Sequence, residues 1–247
     1  MNKSAIVTGG AAGIGAEICR TLSKAGYRVG VFDIDAQAAQ ALSGELSNAL
    51  TLVADVTDAD SVKAAFNDFG DTPDLVVNNA GVVRFGLLGE QSLDDFTTVM
   101  NINLIGVYNM AREAVNRMVP RGSGHIISLT SVNAYGPGPG SGAYPASKAA
   151  VKQLMRQFAL EYGEHGIRAN SVAPGFIDGG MSTPIYADTK VRAARSRGVP
   201  LGRLGSPADI AQAVLFLDSE GGAYISGHDL VVDGAVNHAV LKNLPRE

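Results

Sequence analysis

The chain is poor in the residues that staple small proteins or hold metals. It has one cysteine, Cys19, so no internal disulfide can form. One cysteine and four scattered histidines give no zinc-ligand spacing, and no metal is expected. Charged residues are only 18%, and 20 Lys plus Arg against 24 Asp plus Glu leave a net charge of −4. That balance argues against a nucleic-acid binder, which presents a basic face. No apolar run approaches the roughly 18 residues that span a bilayer. The start, MNKSAIVTGG, has neither the apolar core nor the cleavage site of a secretory leader. The expectation is a cytoplasmic protein acting on a small molecule, with no nucleic-acid or membrane partner.

Apolar residues and glycine, by contrast, are plentiful. Apolar residues are 46% of the 247, enough for a large core, and the 30 glycines keep no period of three, which excludes collagen. Short apolar runs read as strands buried on both faces: Ala5–Thr8, Arg28–Phe32, Thr51–Ala54, Leu75–Val77, His125–Leu129, Arg168–Val172 and Asp229–Val232. Helical patterns lie between them: the stripe Ile14, Ile18, Leu22, then Ala36–Leu46, Ser61–Phe69, Leu93–Met118, Tyr144–Tyr162 and Pro207–Leu217. Asp58 with Asp60, and Ser206-Pro207, read as helix starts. Repeated β-α-β order predicts an α/β fold: one Rossmann-type domain over 1–247, a doubly wound parallel sheet of about seven strands with helices on both faces. The Gly/Pro stretch 136–142 reads as a loop. The irregular segment 178–200 reads as a substrate lid, and 236–247 as a C-terminal tail.

The first strand runs into Thr8-Gly9-Gly10-Ala11-Ala12-Gly13-Ile14-Gly15, where a helix opens. Glycines allow a tight turn and close approach to a pyrophosphate, and a helix N-terminus offers free N–H groups. No Lys-Ser/Thr follows, so a P-loop is not indicated. Asp33 ends the second strand, 18 residues after Gly15. A carboxylate there suits ribose hydroxyls and repels a 2′-phosphate; it could also cap the next helix. With Ala11 and Ala12 uncharged and Arg28 at the far end of that strand, NAD is favoured over NADP. Asp55-Val56 ends the third strand on the rim beside an adenine, where Asp55 could equally cap a helix.

Tyr144 and Lys148 stand one helical turn apart, on one face. A free tyrosine titrates near 10, so ionising it at neutral pH costs roughly 4 kcal/mol. A nearby ammonium favours the phenolate and supplies part of that. Ser131, 13 residues upstream at a strand end, can hydrogen-bond a substrate oxygen or cap a turn.

Together these motifs resemble the short-chain dehydrogenase/reductase family. They are Thr8–Gly15 (TGGAAGIG), Asp33, Asp55-Val56, Asn78-Asn79-Ala80-Gly81, Asn103-Leu104-x-Gly106, Ser131 with Tyr144-x-x-x-Lys148, Pro174-Gly175, and Ser226-Gly227 with Asp233-Gly234. The resemblance covers about residues 4–235. It implies Tyr144 as general acid/base, Lys148 holding the nicotinamide ribose and lowering the Tyr144 pKa, Ser131 orienting the substrate oxygen, and Asn103 holding a water that links Lys148 to solvent. It further implies a cofactor site of Gly9, Gly13, Ile14, Gly15, Asp33, Asp55, Val56, Asn79, Tyr144, Lys148, Pro174 and the Ile177 backbone. Asn78 is expected to tie strands together. The pattern departs in one place: where the family often has a Thr after Pro174-Gly175, this chain has Gly179. Asp178, Ser182 or Thr183 could take that contact. The Gly179-Gly180 pair should loosen 178–197.

Position alone nominates Arg84, Asn133, Tyr135, Phe176 and Met181, with Phe85, Pro137 and Tyr186, to line a substrate pocket. Lys190, Arg192, Arg195 and Arg197 make the lid basic: an anion site, or a solvated helix face. The leading expectation is an NAD-dependent oxidoreductase interconverting a secondary alcohol and its ketone, oxidising in the cell. The alternatives are an NADPH-linked 3-oxoacyl thioester reductase and a non-catalytic NAD-binding regulator. Nucleotide-sugar chemistry is expected to need a larger C-terminal region. Apolar positions Val107, Met110, Leu154, Phe158 and Leu160 give these helices apolar faces that pack on the sheet or on a second chain, and the tail's Val240, Leu241 and Leu244 could dock on a neighbour. The resemblance implies pairing through these helices, as a homodimer or homotetramer.

Overall fold

Every apolar run named above is a strand: β1 (Ser4–Thr8), β2 (Arg28–Asp33), β3 (Ala49–Val53), β4 (Leu75–Asn78), β5 (Gly124–Leu129), β6 (Ile167–Pro174) and β7 (Asp229–Val232). The computed structural model describes residues 3–240, so Leu241 and Leu244 lie outside the described residues. All strand pairs are parallel, in the order β3-β2-β1-β4-β5-β6-β7. β3 starts two residues earlier than expected because Ala49 pairs in register with Val29. β1 and β4 are buried at every position, as a sheet covered on both faces requires.

The helices are α1 (Gly13–Lys24), α2 (Ala36–Glu45), α3 (Ala59–Phe69), α4 (Leu93–Met100), α5 (Gly106–Arg121), α6 (Tyr144–Tyr162), α7 (Thr183–Tyr186), α8 (Thr189–Gly198) and α9 (Pro207–Leu217). On one face Phe66 and Phe69 of α3, Met110 and Met118 of α5 and Met155 of α6 pack on Ile6, Val76 and Ile126. On the other, Ile18 and Leu22 of α1 and Val214 and Leu217 of α9 pack on Val7, Val77 and Ile127. Each such fully buried large side chain contributes about 1.5–3 kcal/mol.

Two departures from the sequence reading matter. The single helix expected over 93–118 is α4 and α5 joined by a π-helical segment, Asn101–Ile105. There the buried Asn103 turns its amide onto Val82 of a neighbouring chain segment. The segment 178–200, expected as an irregular lid, is also not irregular: it holds α7 and α8. Periodicity missed α8 because none of its residues is buried, although Asp188 caps it.

The amino edge of the sheet, opposite the strand ends that carry the glycine turn, is closed by a polar cluster. The buried Asp218 carboxylate accepts hydrogen bonds from Tyr27 (2.6 Å), Lys3 (3.0 Å) and His125 Nδ1 (2.9 Å). His125 Nε2 accepts in turn from Asn170 (3.0 Å) and Arg168 (3.2 Å).

Candidate active site

The strand order reverses between β1 and β4, and a crevice opens above their carboxyl ends. It consists of two adjoining cavities of about 340 and 300 Å3 that share Gly9, Asp33, Ala80 and Gly81.

The glycine turn forms its floor. Gly9 and Gly13 have φ of +58° and +55°. A Cβ on Gly15 would stand 2.0 Å from the Gly9 carbonyl oxygen, so no side chain fits there. Asn79 Nδ2 clamps the turn by donating to the Thr8 (3.0 Å) and Gly9 (2.9 Å) carbonyls. Side chains cap α2, α3, α4, α8 and α9 through Asp35, Asp58, Ser92, Asp188 and Ser206. Nothing caps α1, whose N-cap is Ala12 and whose first turn has no acid. Its N–H groups and dipole face the crevice through Ala12, Gly13 and Ile14.

Asp33 stands at the rim of both cavities. Its carboxylate accepts from the N–H groups of Ala11 (3.0 Å) and Asp35 (3.1 Å). Asp33 therefore braces the glycine turn, and the cap of α2 falls to Asp35. Asp55 accepts from Thr57 N–H and Oγ1 (both 2.8 Å) and leaves the α3 cap to Asp58. Asp55 and Val56 line the second cavity, beside the exposed Ile34. An uncapped helix start, a turn with no room for a side chain and a rim carboxylate fit a dinucleotide: pyrophosphate at α1, ribose hydroxyls at Asp33.

Ser131, Tyr144 and Lys148 converge on the larger cavity with Pro174, Ile177, Met181 and Ser182. Ser131 follows β5, and its Oγ accepts from Asn133 N–H, so it caps a short turn and also faces the crevice. Tyr144 opens α6. Burial raises its pKa above the ordinary 10, and the hydrogen bond to Ser131 works against that rise. Lys148, one turn on, is buried, donates to the Leu129 carbonyl (2.8 Å) and lies 5.6 Å from the Tyr144 ring centroid. Burial pulls the Lys148 ammonium down to about 8. In the chain alone the rise from burial outweighs what favours the phenolate.

Asn103 stands behind this pair, outside both cavities. Its Oδ1 accepts from Val82 N–H (2.8 Å), and its Nδ2 donates to Val82 O (2.9 Å) and Ser147 Oγ (3.1 Å). Ser147 donates to Tyr144 O (2.7 Å). The Asn103 side chain thus ties the segment after β4 to α6. A Cβ on Gly81 would lie 3.2 Å from Asn103 Oδ1 and 3.5 Å from Lys148 Nζ, so both side chains flank that glycine. Asn78 donates to Ser128 Oγ (3.0 Å) and links β4 to β5.

Met181 is the one sequence-nominated substrate residue that lines the larger cavity. Arg84 is outside, paired with Asp95 (3.5 Å). Asn133 accepts from Gly138 N–H (3.1 Å), and Tyr135 donates to Asp229 (2.7 Å). Phe176 faces a small cavity of about 90 Å3 with Arg203 and Asp209. In the segment 178–200, Arg192 pairs with Asp178, and Arg195 lies over the Phe176 (5.1 Å) and Tyr186 (5.6 Å) rings. Gly179 is dictated by packing: its Cβ would come 2.9 Å from Pro207 Cγ. Of the residues that could replace the absent Thr, Ser182 is the one at the cavity. The segment 178–200 also touches the glycine turn directly, for a Cβ on Gly13 would meet Gly180 Cα at 2.7 Å. Sequence reasoning missed Ser147, Thr130 and the Leu129 carbonyl. The first two lie next to named motif residues, but a backbone acceptor leaves no side-chain signal.

A family model described as enoyl-(acyl carrier protein) reductase matches residues 9–237. A 3-oxoacyl-[acyl-carrier-protein] reductase of Chlamydia trachomatis is 38% identical, covering 96% of this chain and 98% of its own. A 2,5-dichloro-2,5-cyclohexadiene-1,4-diol dehydrogenase of Sphingobium indicum is 34% identical over 94% and 95%. The crystal structure of a 3-oxoacyl-[acyl-carrier protein] reductase with bound NAD from Brucella melitensis superposes with a TM-score of 0.88 at 30% identity, covering 94% and 90%. Among the similar solved structures both NAD and NADP occur as bound cofactor.

Proposed function

The chain belongs to the short-chain dehydrogenase/reductase family and is an oxidoreductase, and from that premise we propose that it interconverts a secondary alcohol and its ketone with NAD, using Tyr144 as general acid/base. The observation that carries this reading is the convergence of Ser131, Tyr144 and Lys148 on the crevice that receives the uncapped start of α1. The nicotinamide cofactor, when bound, supplies the hydride acceptor or donor. Tyr144 Oη holds the proton that the carbinol oxygen loses or the carbonyl oxygen gains. Its raised pKa keeps the phenol protonated in the chain alone, which suits donation; to act as base it needs the added positive charge of an oxidised nicotinamide. The Ser131 hydroxyl orients the substrate oxygen and favours the phenolate by its hydrogen bond. Lys148, fixed by Leu129 O, would hold the nicotinamide ribose. Asn79, with its Nδ2 occupied, offers Oδ1 to a ribose hydroxyl. Asn103 acts by fixing α6 relative to the segment after β4, and a water between it and Lys148 remains part of the proposal.

NAD is favoured because Asp33 stands at both cavities, and Lys148 is the only Lys or Arg lining either. An uncharged substrate is favoured because Arg84, Arg192 and Arg195 are engaged within the protein. NADPH-linked reduction of a 3-oxoacyl thioester is the second reading, favoured by the name of the Chlamydia relative.

The test is NADH formation with neutral cyclic alcohols, polyols, hydroxy acids and hydroxyacyl thioesters, with NAD and with NADP. Tyr144→Phe should lower kcat by about 10²–10⁴ and leave cofactor Kd within about twofold. Turnover indifferent to Tyr144→Phe overturns the mechanism. Preference for NADP with thioesters moves the reading to the second one.

A further inference from the structure

Asp229 opens β7, beside Ser171 of β6, and is 5% exposed. A carboxylate that deeply buried is costly unless its oxygens are satisfied. No ion pair reaches it among the described residues, and its partners are two hydroxyls. Oδ1 accepts from Thr130 Oγ1 (2.8 Å) and Oδ2 from Tyr135 (2.7 Å). Those two residues flank one structural unit: Thr130 immediately precedes Ser131, and Tyr135 ends the short turn that Ser131 caps. Inside the turn Ala134 N–H donates to Ser131 O (2.9 Å) and Tyr135 N–H to Val132 O (3.0 Å). One carboxylate therefore clamps both ends of the turn that carries Ser131. Thr130 is held further by its N–H on Val172 O (2.8 Å). Tyr135 is held from above by Lys152, whose Nζ lies 3.9 Å from the ring centroid. Lys152 is one helical turn beyond Lys148, so α6 bears on both sides of the same assembly.

We propose that Asp229 is a positioning residue for the reactive hydroxyls: by clamping Thr130 and Tyr135 it fixes Ser131 at hydrogen-bonding reach of Tyr144. This rests on Tyr144 being the proton-transfer residue. Tyr135, nominated from sequence as pocket lining, belongs to the clamp.

The test is the ionisation of Tyr144 followed by phenolate absorbance in the full chain, saturated with whichever oxidised cofactor binds. Each protein is read against its own Tyr144→Phe counterpart, which isolates that tyrosine. Ser131→Ala should raise the titration midpoint by about one to two pH units, the weight of a hydrogen bond to a charged group. Asp229→Asn and Tyr135→Phe should raise it by about half a unit or more, with cofactor Kd within twofold. The sign is diagnostic: deleting a negative charge by itself favours the phenolate and lowers the midpoint. Tyr135→Phe removes one hydroxyl and keeps the ring under Lys152, so it reads the clamp even if Asp229→Asn folds poorly. Midpoints unchanged or lowered in both variants overturn the proposal, as does a Ser131→Ala midpoint that does not move. Failure of every alcohol to react would instead count against the proposed reaction and leave this titration as it stands.

Discussion

Acidification should destabilise this protein through His125. Burial pulls that imidazole down to about 4 from an ordinary 6.5, against the opposing pull of Asp218. Nδ1–H is spent on Asp218, while Nε2 accepts from Asn170 and Arg168, so a second proton has no acceptor to face. Below pH 6.5 the unfolded chain takes up a proton that the folded chain refuses. Stability is therefore whole above 6.5 and falls as pH drops toward 4, by about 1.4 kcal/mol per pH unit. At pH 4.5 the loss is roughly 2.5 kcal/mol, or about 5–10 °C in Tm for a chain of this size. Burial opposes the Asp218 charge, but His125, Tyr27 and Lys3 outweigh it and hold that carboxyl below its usual range, so its own loss begins only nearer pH 4. The assay is urea unfolding at pH 7.5 and 4.5 at one protein concentration, for the natural chain and for His125→Gln. The variant should start less stable and lose less on acidification by roughly that amount. Equal losses in both proteins would refute the linkage.

Two further outcomes follow from contacts already described. Gly15→Ala forces a methyl to within 2.0 Å of Gly9 O and 2.5 Å of Asn79 Nδ2, so cofactor binding by calorimetry should disappear even if the protein still folds. Amides of 183–198 should exchange with deuterium well before those of β1, β4 and β5, since α8 buries no residue. Exchange as slow as in the core strands would show this segment to be as rigid as the sheet.

The sheet was readable because parallel strands buried on both faces leave unbroken apolar runs, and β7 was placed to the residue. The site was readable because its chemistry is carried by side chains at fixed offsets from strand ends and helix starts, such as Tyr144 and Lys148. What escaped the sequence is pairing in space. Nothing in the local pattern says that Arg84 turns to Asp95, or that Tyr135 faces Asp229 across 94 residues. The direction of the Tyr144 pKa also escaped, because burial is a property of the packed crevice. Asp33 and Asp55 were read for their carboxylates; that the caps belong to Asp35 and Asp58, two and three residues on, depends on where each chain leaves its strand.

The π-helical segment at Asn101–Ile105 makes the long helix carry a phase offset. Each residue of a helix turns it by about 100° and advances it about 1.5 Å. The widened turn absorbs one extra residue, so α4 and α5 point their apolar stripes in directions that a continuous α-helix of this sequence could not match. Deleting a single residue from 101–105 would let the ladder close as plain α-helix with α4 still in its present phase relative to α5, because the deletion removes the residue that the wide turn absorbs; it would take Asn103 off Val82 and Ser147. The extra residue therefore serves the site and not the helix: a chain shortened by one residue there should keep α4 and α5 in place while losing the Asn103 tie between the segment after β4 and α6.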